Sequence, residues 1–239
     1  MQHGAPPAIR VSGLTKTYAV RPVLRNLELE IAAGQRYVLF GGNGSGKTTL
    51  IKCLAGLARP DSGVIVIGSL DARRDGAEAR RLVGVVTHQP LLYEDLTGLE
   101  NLRFYGRMFQ VQRLEERIAE LARAFDAMAF LSARVRTLSH GMKKRISLCR
   151  ALLHNPPVLL LDEPETGLDE EALRLLDNVL ATGEARAMLM VTHSLERGMA
   201  LADRVGVLSG GRIAYETDAR SLDVPTFRQT YHGYLGAAR

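Results

Sequence analysis

Eight consecutive residues, Gly41-Gly-Asn-Gly-Ser-Gly-Lys-Thr48, fit the pattern GxxxxGK[ST]. In that pattern the glycines let backbone N–H groups converge on phosphate oxygens. Lys47 then reaches the β- and γ-phosphates of a nucleotide, and the Thr48 hydroxyl holds a Mg²⁺ ion. The residues expected to contact the nucleotide are Gly41, Gly42, Asn43, Gly44, Ser45, Gly46, Lys47, Thr48 and Thr49. Far along the chain, Leu159-Leu-Leu-Asp-Glu163 is an apolar run ending in two carboxylates. Carboxylates at the end of a buried strand are expensive unless they serve something. Beside a phosphate loop, Asp162 completes Mg²⁺ coordination directly or through water, and Glu163 faces the attacking water as general base.

These groups need particular elements to carry them. Arg36-Tyr-Val-Leu-Phe40 reads as a buried strand feeding the glycine-rich loop, and Lys47 to Leu57 as a helix whose N-terminus favours an anion. Ile9 to Leu14 and Leu27 to Ile31 read as strands, Pro60 to Gly63 as a turn, and Val64 to Ile67 and Leu82 to Val86 as further strands. From Pro90 to Arg136 the pattern becomes helical. Thr97 and Glu100 form a capping box, and Leu114, Ile118, Leu121 and Phe125 share one buried face. After Asn155-Pro-Pro157, the strands Val158 to Asp162, Met188 to Thr192 and Val205 to Ser209 alternate with helices, which argues for a largely parallel sheet.

A chain of 239 residues, 46% hydrophobic, suits one α/β domain with an inserted helical lobe. No apolar run reaches membrane length, and the opening MQHGAPPAIR lacks the apolar stretch of a secretory signal, so the expected compartment is the cytosol. Cys53 and Cys149 stand far apart and read as small buried side chains in a reducing compartment. The net charge is +5, but the basic residues are dispersed among acids and aromatics are only 5%. That argues against a nucleic-acid partner and suits a surface near a membrane.

Leu138-Ser-His-Gly-Met142, ahead of a helical run and the Asp162-Glu163 strand, resembles the signature sequence of the ABC ATPase family. The motifs stand in the family's order over nearly the whole chain. The resemblance implies a P-loop NTPase core with a parallel sheet, an N-terminal antiparallel β subdomain and an inserted helical subdomain. Residues 1–89 and 156–239 would form core and β subdomain, and 90–155 the helical part. It also implies ATP and Mg²⁺ as cofactors. Ser139 and Gly141 match the residues that bind the γ-phosphate held by the opposite subunit, so two cassettes, expected to be identical, pair head-to-tail. Tyr18 matches the aromatic that stacks on adenine, Gln89 the glutamine that touches Mg²⁺ and the water, and Asp169 the residue that communicates between subunits. His193 matches the histidine that contacts the γ-phosphate and orients the water, which makes Glu163, His193 and Lys47 the catalytic set. His140 and Met142 depart from the commonest signature, as does Glu165 from the usual residue two places after the catalytic glutamate. A histidine beside a bound phosphate would make turnover pH-sensitive.

The resemblance further implies a multi-spanning membrane subunit as partner, with this chain peripheral on the cytoplasmic face of the inner membrane. Pro90-Leu-Leu-Tyr-Glu-Asp-Leu96 matches the stretch beside which the family docks a short helix of that subunit; the same apolar residues can equally pack the helical lobe. Thr87 to Tyr105, with Leu138 to Met142 and Ala151-Leu-Leu-His-Asn155, resembles the ATPase of the haem exporter of cytochrome c maturation. ATPases of drug, lipid and polysaccharide exporters share much of this pattern. A soluble ABC ATPase of cluster assembly and a regulatory GTP-binding switch are the readings from other classes.

Overall fold

Alternating apolar residues decide the first sheet. In the computed structural model, which describes residues 7–182 and 186–236, β1 (Ile9–Tyr18) and β2 (Arg21–Ile31) pair antiparallel from Ile9 opposite Ile31 to Tyr18 opposite Arg21. Leu27, Leu29 and Ile31 point inward while Glu28 and Glu30 between them are exposed, the period of a sheet with one buried face. β4 (Ser62–Ile67) and the short β5 (Leu70–Asp71) complete the order β2-β1-β4-β5. Both long strands outrun their apolar alternation. Backbone pairing continues through polar Thr15-Lys-Thr17 to a tight turn at Ala19, whose φ is +52°, and this leaves Tyr18 at the hairpin tip.

The larger sheet grows from apolar runs without alternation. β3 (Arg36–Gly41), β7 (Val158–Asp162), β8 (Ala187–Val191) and β9 (Arg204–Ser209) are parallel, in the order β9-β3-β8-β7. Every residue of β7 and β8 is buried, as expected where helices cover both faces. β10 (Arg212–Asp218) turns back antiparallel at the β9 edge through Gly210-Gly211, both at positive φ. The Val158 N–H donates to the Leu82 carbonyl, just before β6 (Val83–Val86). Helices α1 (Lys47–Leu54), α2 (Gly76–Arg81), α7 (Leu195–Leu201) and α8 (Val224–Gly236) belong with these sheets. α1 stops three residues before the expected Leu57: Gly56 at φ +68° reverses the chain, and the Leu57 and Ala58 N–H groups fold back onto the Lys52 carbonyl. Together these elements form one compact unit, within residues 1–83, 157–163 and 185–239.

The start of β3 is tied to the start of β9. The Arg36 guanidinium and N–H donate to the Asp203 carboxylate at 2.9 to 3.3 Å, and the Asp203 N–H donates back to the Arg36 carbonyl at 2.8 Å. Partial burial pushes the Asp203 carboxyl up, but the Arg36 hydrogen bonds and charge outweigh it and the net shift is down. A depressed folded-state value means the unfolded chain binds the proton first. The pair therefore contributes above the ordinary aspartate value of about 3.9, and its contribution fades as pH falls through the lower folded value. With the Asp203 side chain 33% exposed, Asp203→Asn is expected to lower Tm by roughly 2–4 °C at pH 7, about 1 kcal/mol after screening. Melts at pH 7 and pH 3 check this: the gap between wild type and variant must shrink in acid.

The second compact unit, residues 84–156 and 164–184, is helical: α3 (Gly98–Met108), α4 (Leu114–Ala124), α5 (His140–Leu152) and α6 (Glu170–Thr182). The Thr97/Glu100 capping box is formed in both directions. Ile118 and Leu121 are buried on α4, and Phe125 is buried at the residue that ends it. Segment 164–184 clusters with these helices, whereas the sequence-based boundary puts 156–239 with the core. The reason is local: the loop at Gly167 lies on the N-terminus of α5, where a Cβ on Gly141 would come within 2.9 Å of the Gly167 carbonyl. Both cysteines are buried, and burial pushes the Cys53 thiol up to about 11 and that of Cys149 to about 12. Neither is a nucleophile near neutral pH.

Candidate functional site

The chain between the end of β3 and the start of α1 is shaped by two glycines, Gly41 and Gly46, where a larger residue does not fit. A Cβ on Gly41 would lie 2.6 Å from both the Leu208 carbonyl and Ser45 Oγ. Gly46 is the N-cap of α1 at φ +111°, and a Cβ there would lie 2.9 Å from the Val23 carbonyl and from Leu24 Cδ2. Lys47, only 9% exposed, folds its Nζ back into the loop and donates to the carbonyls of Gly41 at 2.6 Å and Gly42 at 3.0 Å. Burial lowers its pKa, and the charges of Glu163 and Asp162 partly restore it. A desolvated ammonium is thus held inside the glycine-rich loop on two backbone carbonyls, from which phosphate oxygens can draw it.

The acid pair arrives from across the sheet. Thr48 Oγ1 donates to Asp162 Oδ1 at 3.2 Å, which sets a hydroxyl and a carboxylate side by side, hard oxygen donors that fit Mg²⁺. Glu163, the next residue, holds a left-handed backbone at φ +46° while its N–H donates to the Val191 carbonyl at 2.9 Å. Such a conformation costs about 1–3 kcal/mol at a non-glycine residue and is typical of functional positions. It leaves the Glu163 side chain 34% exposed, with Oε1 3.6 Å from Nδ1 of the largely exposed His193. Thr192 Oγ1, buried at the end of β8, accepts from the Ser194 N–H and shapes the turn that carries His193. Tyr18, on the hairpin tip of the same unit, is 47% exposed with the Lys16 ammonium 5.2 Å from its ring centroid.

The remaining expected residues lie in the helical unit. Ser139 caps α5, its Oγ accepting from the Met142 N–H at 3.3 Å, so the signature sequence begins a helix as anticipated. His140, the first helical residue, lies over Gly167, where a Cβ would meet its Nδ1 at 2.1 Å; the His88 ring centroid is 6.3 Å away. Asp169 caps α6 through the Ala172 N–H and also accepts from Arg145 of α5. Gln89 is exposed, and its carbonyl accepts from Thr87 Oγ1 at 2.6 Å.

Three residues of α5 that sequence reasoning passed over organise this region. Arg145 joins Asp169 to Asp126; Ser147 Oγ donates to the Pro90 carbonyl; the Arg150 guanidinium, 6% exposed, donates to the Val85 carbonyl. One helix therefore grips the loop on either side of Gln89 and the segment leading into α6. A readable signal was present: at helical spacing Arg150 lies four residues after Ile146 and three before Leu153, and a cation among such residues needs a partner.

Known proteins resemble this chain in sequence and fold. Residues 24–166 match the model of the family described as ABC transporter. The chain is 33% identical over 225 residues to the uncharacterised ABC transporter ATP-binding protein YdbJ of Bacillus subtilis, covering 93% of this chain and 73% of that one. It is 36% identical to the daunorubicin resistance ATP-binding protein DrrA3 of Streptomyces coeruleorubidus, covering 93% and 72%. With the Nod factor export ATP-binding protein I of Rhizobium meliloti the identity is 37%, covering 88% and 64%. Among solved structures, an ATP-binding subunit of an ABC transporter superposes with a TM-score of 0.84 at 29% identity over 95% of both chains. The dimeric post-hydrolysis state of the ATP-binding cassette MJ0796, bound to ADP and Pi, gives 0.80 at 26% identity over 90% of this chain and all of that one. On its phosphate loop, its acid pair and these relationships together, the chain belongs to the ABC transporter family as an ATP-binding subunit with an ABC ATPase domain.

Proposed function

We propose that this protein hydrolyses MgATP at the interface of a head-to-tail dimer and thereby drives a separate membrane subunit that exports a small organic cargo. The contact of Thr48 Oγ1 with Asp162 Oδ1, beside Glu163 and His193, carries the reading. Magnesium, when bound, supplies charge neutralisation at the β- and γ-phosphates, and Thr48 and Asp162 would hold it. Lys47 exchanges its loop carbonyls for phosphate oxygens. Glu163 takes a proton from water as the water attacks the γ-phosphorus and the bond to the β–γ bridging oxygen breaks, while His193 orients that water. Ser139 and Gly141, at the N-terminus of α5, are suited to the γ-phosphate held by a partner cassette, and a dimeric solved relative supports that pairing.

No helix among the described residues is long and apolar enough to cross a membrane. On this reading the transport path is a separate membrane subunit, with which this chain associates peripherally. In the helical unit Tyr93, Phe104 and Met108 are 51%, 44% and 48% exposed, and the Tyr93 and Phe104 rings meet edge-on at 5.1 Å. An exposed aromatic cluster of this kind suits an interface, here with the membrane subunit. For the cargo, names such as daunorubicin resistance and Nod factor export favour a small organic product. Haem export draws on the likeness at Thr87 to Tyr105, Leu138 to Met142 and Ala151 to Asn155.

Tagged Glu163→Gln protein, captured with ATP from detergent-solubilised membranes of its own host, tests this. A multi-spanning permease should accompany it only with ATP present. Cytochrome maturation proteins would replace the cargo reading with haem, and soluble partners alone would overturn the transport role.

A further inference from the structure

At the N-terminal end of α1 lies the phosphate loop; at its C-terminal end, about 12 Å away by helix rise, a second cavity opens, of roughly 810 Å³. Four arginines from three stretches of chain line it: Arg59, the consecutive Arg73 and Arg74, and Arg80. All four residues are exposed, and among the described residues none makes an ion pair or a side-chain hydrogen bond. Arginines such as Arg36, Arg103, Arg117, Arg145 and Arg174 each find a carboxylate, and others, such as Arg21 and Arg123, also stand without one; what sets these four apart is that they line one cavity. The two acids in the lining are already engaged. Asp61 accepts from Lys16 Nζ at 3.0 Å and the Thr17 N–H at 2.6 Å, and Asp71 accepts from the backbone N–H groups of Arg73 and Arg74. Arg80 lies across Gly56, where a Cβ would come within 3.4 Å of its Cδ, so the glycine that ends α1 also makes room for this side chain. The apolar Ala58, Val64, Ile65 and Ala72 also line the cavity.

Four planar cations facing two committed acids call for more than one negative charge, and guanidinium forks match phosphate oxygens in pairs. The volume exceeds what a bare phosphate fills and leaves space for the group that carries it. We propose that this cavity binds a phosphate-bearing anion, separate from the nucleotide, with the phosphate among Arg59, Arg73, Arg74 and Arg80 and its carrier against the apolar residues of the lining. The phosphate comes either from a soluble phosphorylated compound or from the headgroup of an anionic phospholipid.

The test uses the full chain with its phosphate loop saturated by MgADP, as wild type and as Arg74→Glu/Arg80→Glu. Inorganic pyrophosphate is titrated by calorimetry. Co-sedimentation is measured with vesicles of phosphatidylcholine alone and of phosphatidylcholine with phosphatidylglycerol. Wild type is expected to bind pyrophosphate with ADP in place, and the variant about a hundredfold more weakly, from two lost charge-assisted contacts. Both should melt alike and hydrolyse ATP alike. Wild-type sedimentation with the phosphatidylglycerol vesicles, lost in the variant, assigns the site to a lipid headgroup; pyrophosphate binding without sedimentation assigns it to a soluble phosphate compound. Absence of both, or equal binding by the variant, overturns the proposal.

Discussion

Protein carrying Glu163→Gln is expected to bind ATP as wild type does and to hydrolyse it about 10²–10⁴-fold more slowly, the range for loss of a positioned general base. The amide keeps the size of the side chain and can still hydrogen-bond, but it cannot take a proton from water. In the proposed mechanism the position of Glu163 suits it to act as the base. Its left-handed backbone turns the side chain out of the β7 edge toward His193, 3.6 Å away, whereas Asp162 before it remains 3% exposed against Thr48. In the proposed mechanism ATP shifts the equilibrium toward a closed pair of cassettes and hydrolysis releases it, so with ATP uncleaved the pair should persist. Size-exclusion chromatography with and without ATP, beside a phosphate-release assay, reads both effects. Turnover near the wild-type rate would remove Glu163 from the chemistry, and loss of ATP binding would make its role structural.

The second large effect is expected at Gly46. Substitution to alanine forces a side chain into φ +111°, outside even the usual left-handed region, and sets its Cβ 2.9 Å from the Val23 carbonyl, which is backbone and cannot swing away. Strain of about 1–3 kcal/mol therefore falls on the residue that starts α1 and aims Lys47. ATP affinity should drop about tenfold to a hundredfold, with a lowered Tm. Gly44 is the control. It too has positive φ, +76°, but a Cβ there meets nothing within 4 Å, so Gly44→Ala should cost only about 1 kcal/mol of backbone strain. Equal losses of affinity for the two variants, measured by calorimetry, would show that contact with β2 plays no part.

Much of this site is readable in one dimension because its codes are short. The phosphate loop needs glycines at fixed spacing over eight residues, the capping box needs Thr97 and Glu100 three apart, and a strand buried on both faces needs a continuous apolar run such as Val158 to Leu161. The alternation Leu27, Leu29, Ile31 marks one face of a sheet in the same way. Where local rules compete, the reading blurs. β1 continues to Tyr18 through polar residues because pairing with β2 satisfies its backbone whatever the side chains are, and α1 ends early because Gly56 reverses the chain.

The sequence by itself determined which residue types stand ready for chemistry and which elements carry them, since spacing and periodicity act over one or two turns of chain. Only the tertiary structure decided their partners. Thr48 meets Asp162 across 114 residues because the chain passes from β3 to β7 within one parallel sheet, with β8 between them. Glu163 takes its left-handed turn where β7 pairs with β8, and the four arginines of the second cavity converge from segments that share no local pattern. The physical reason is the same in each case: strand order and the packing of helices on it bring distant residues within hydrogen-bonding distance, and no rule of local spacing encodes that order.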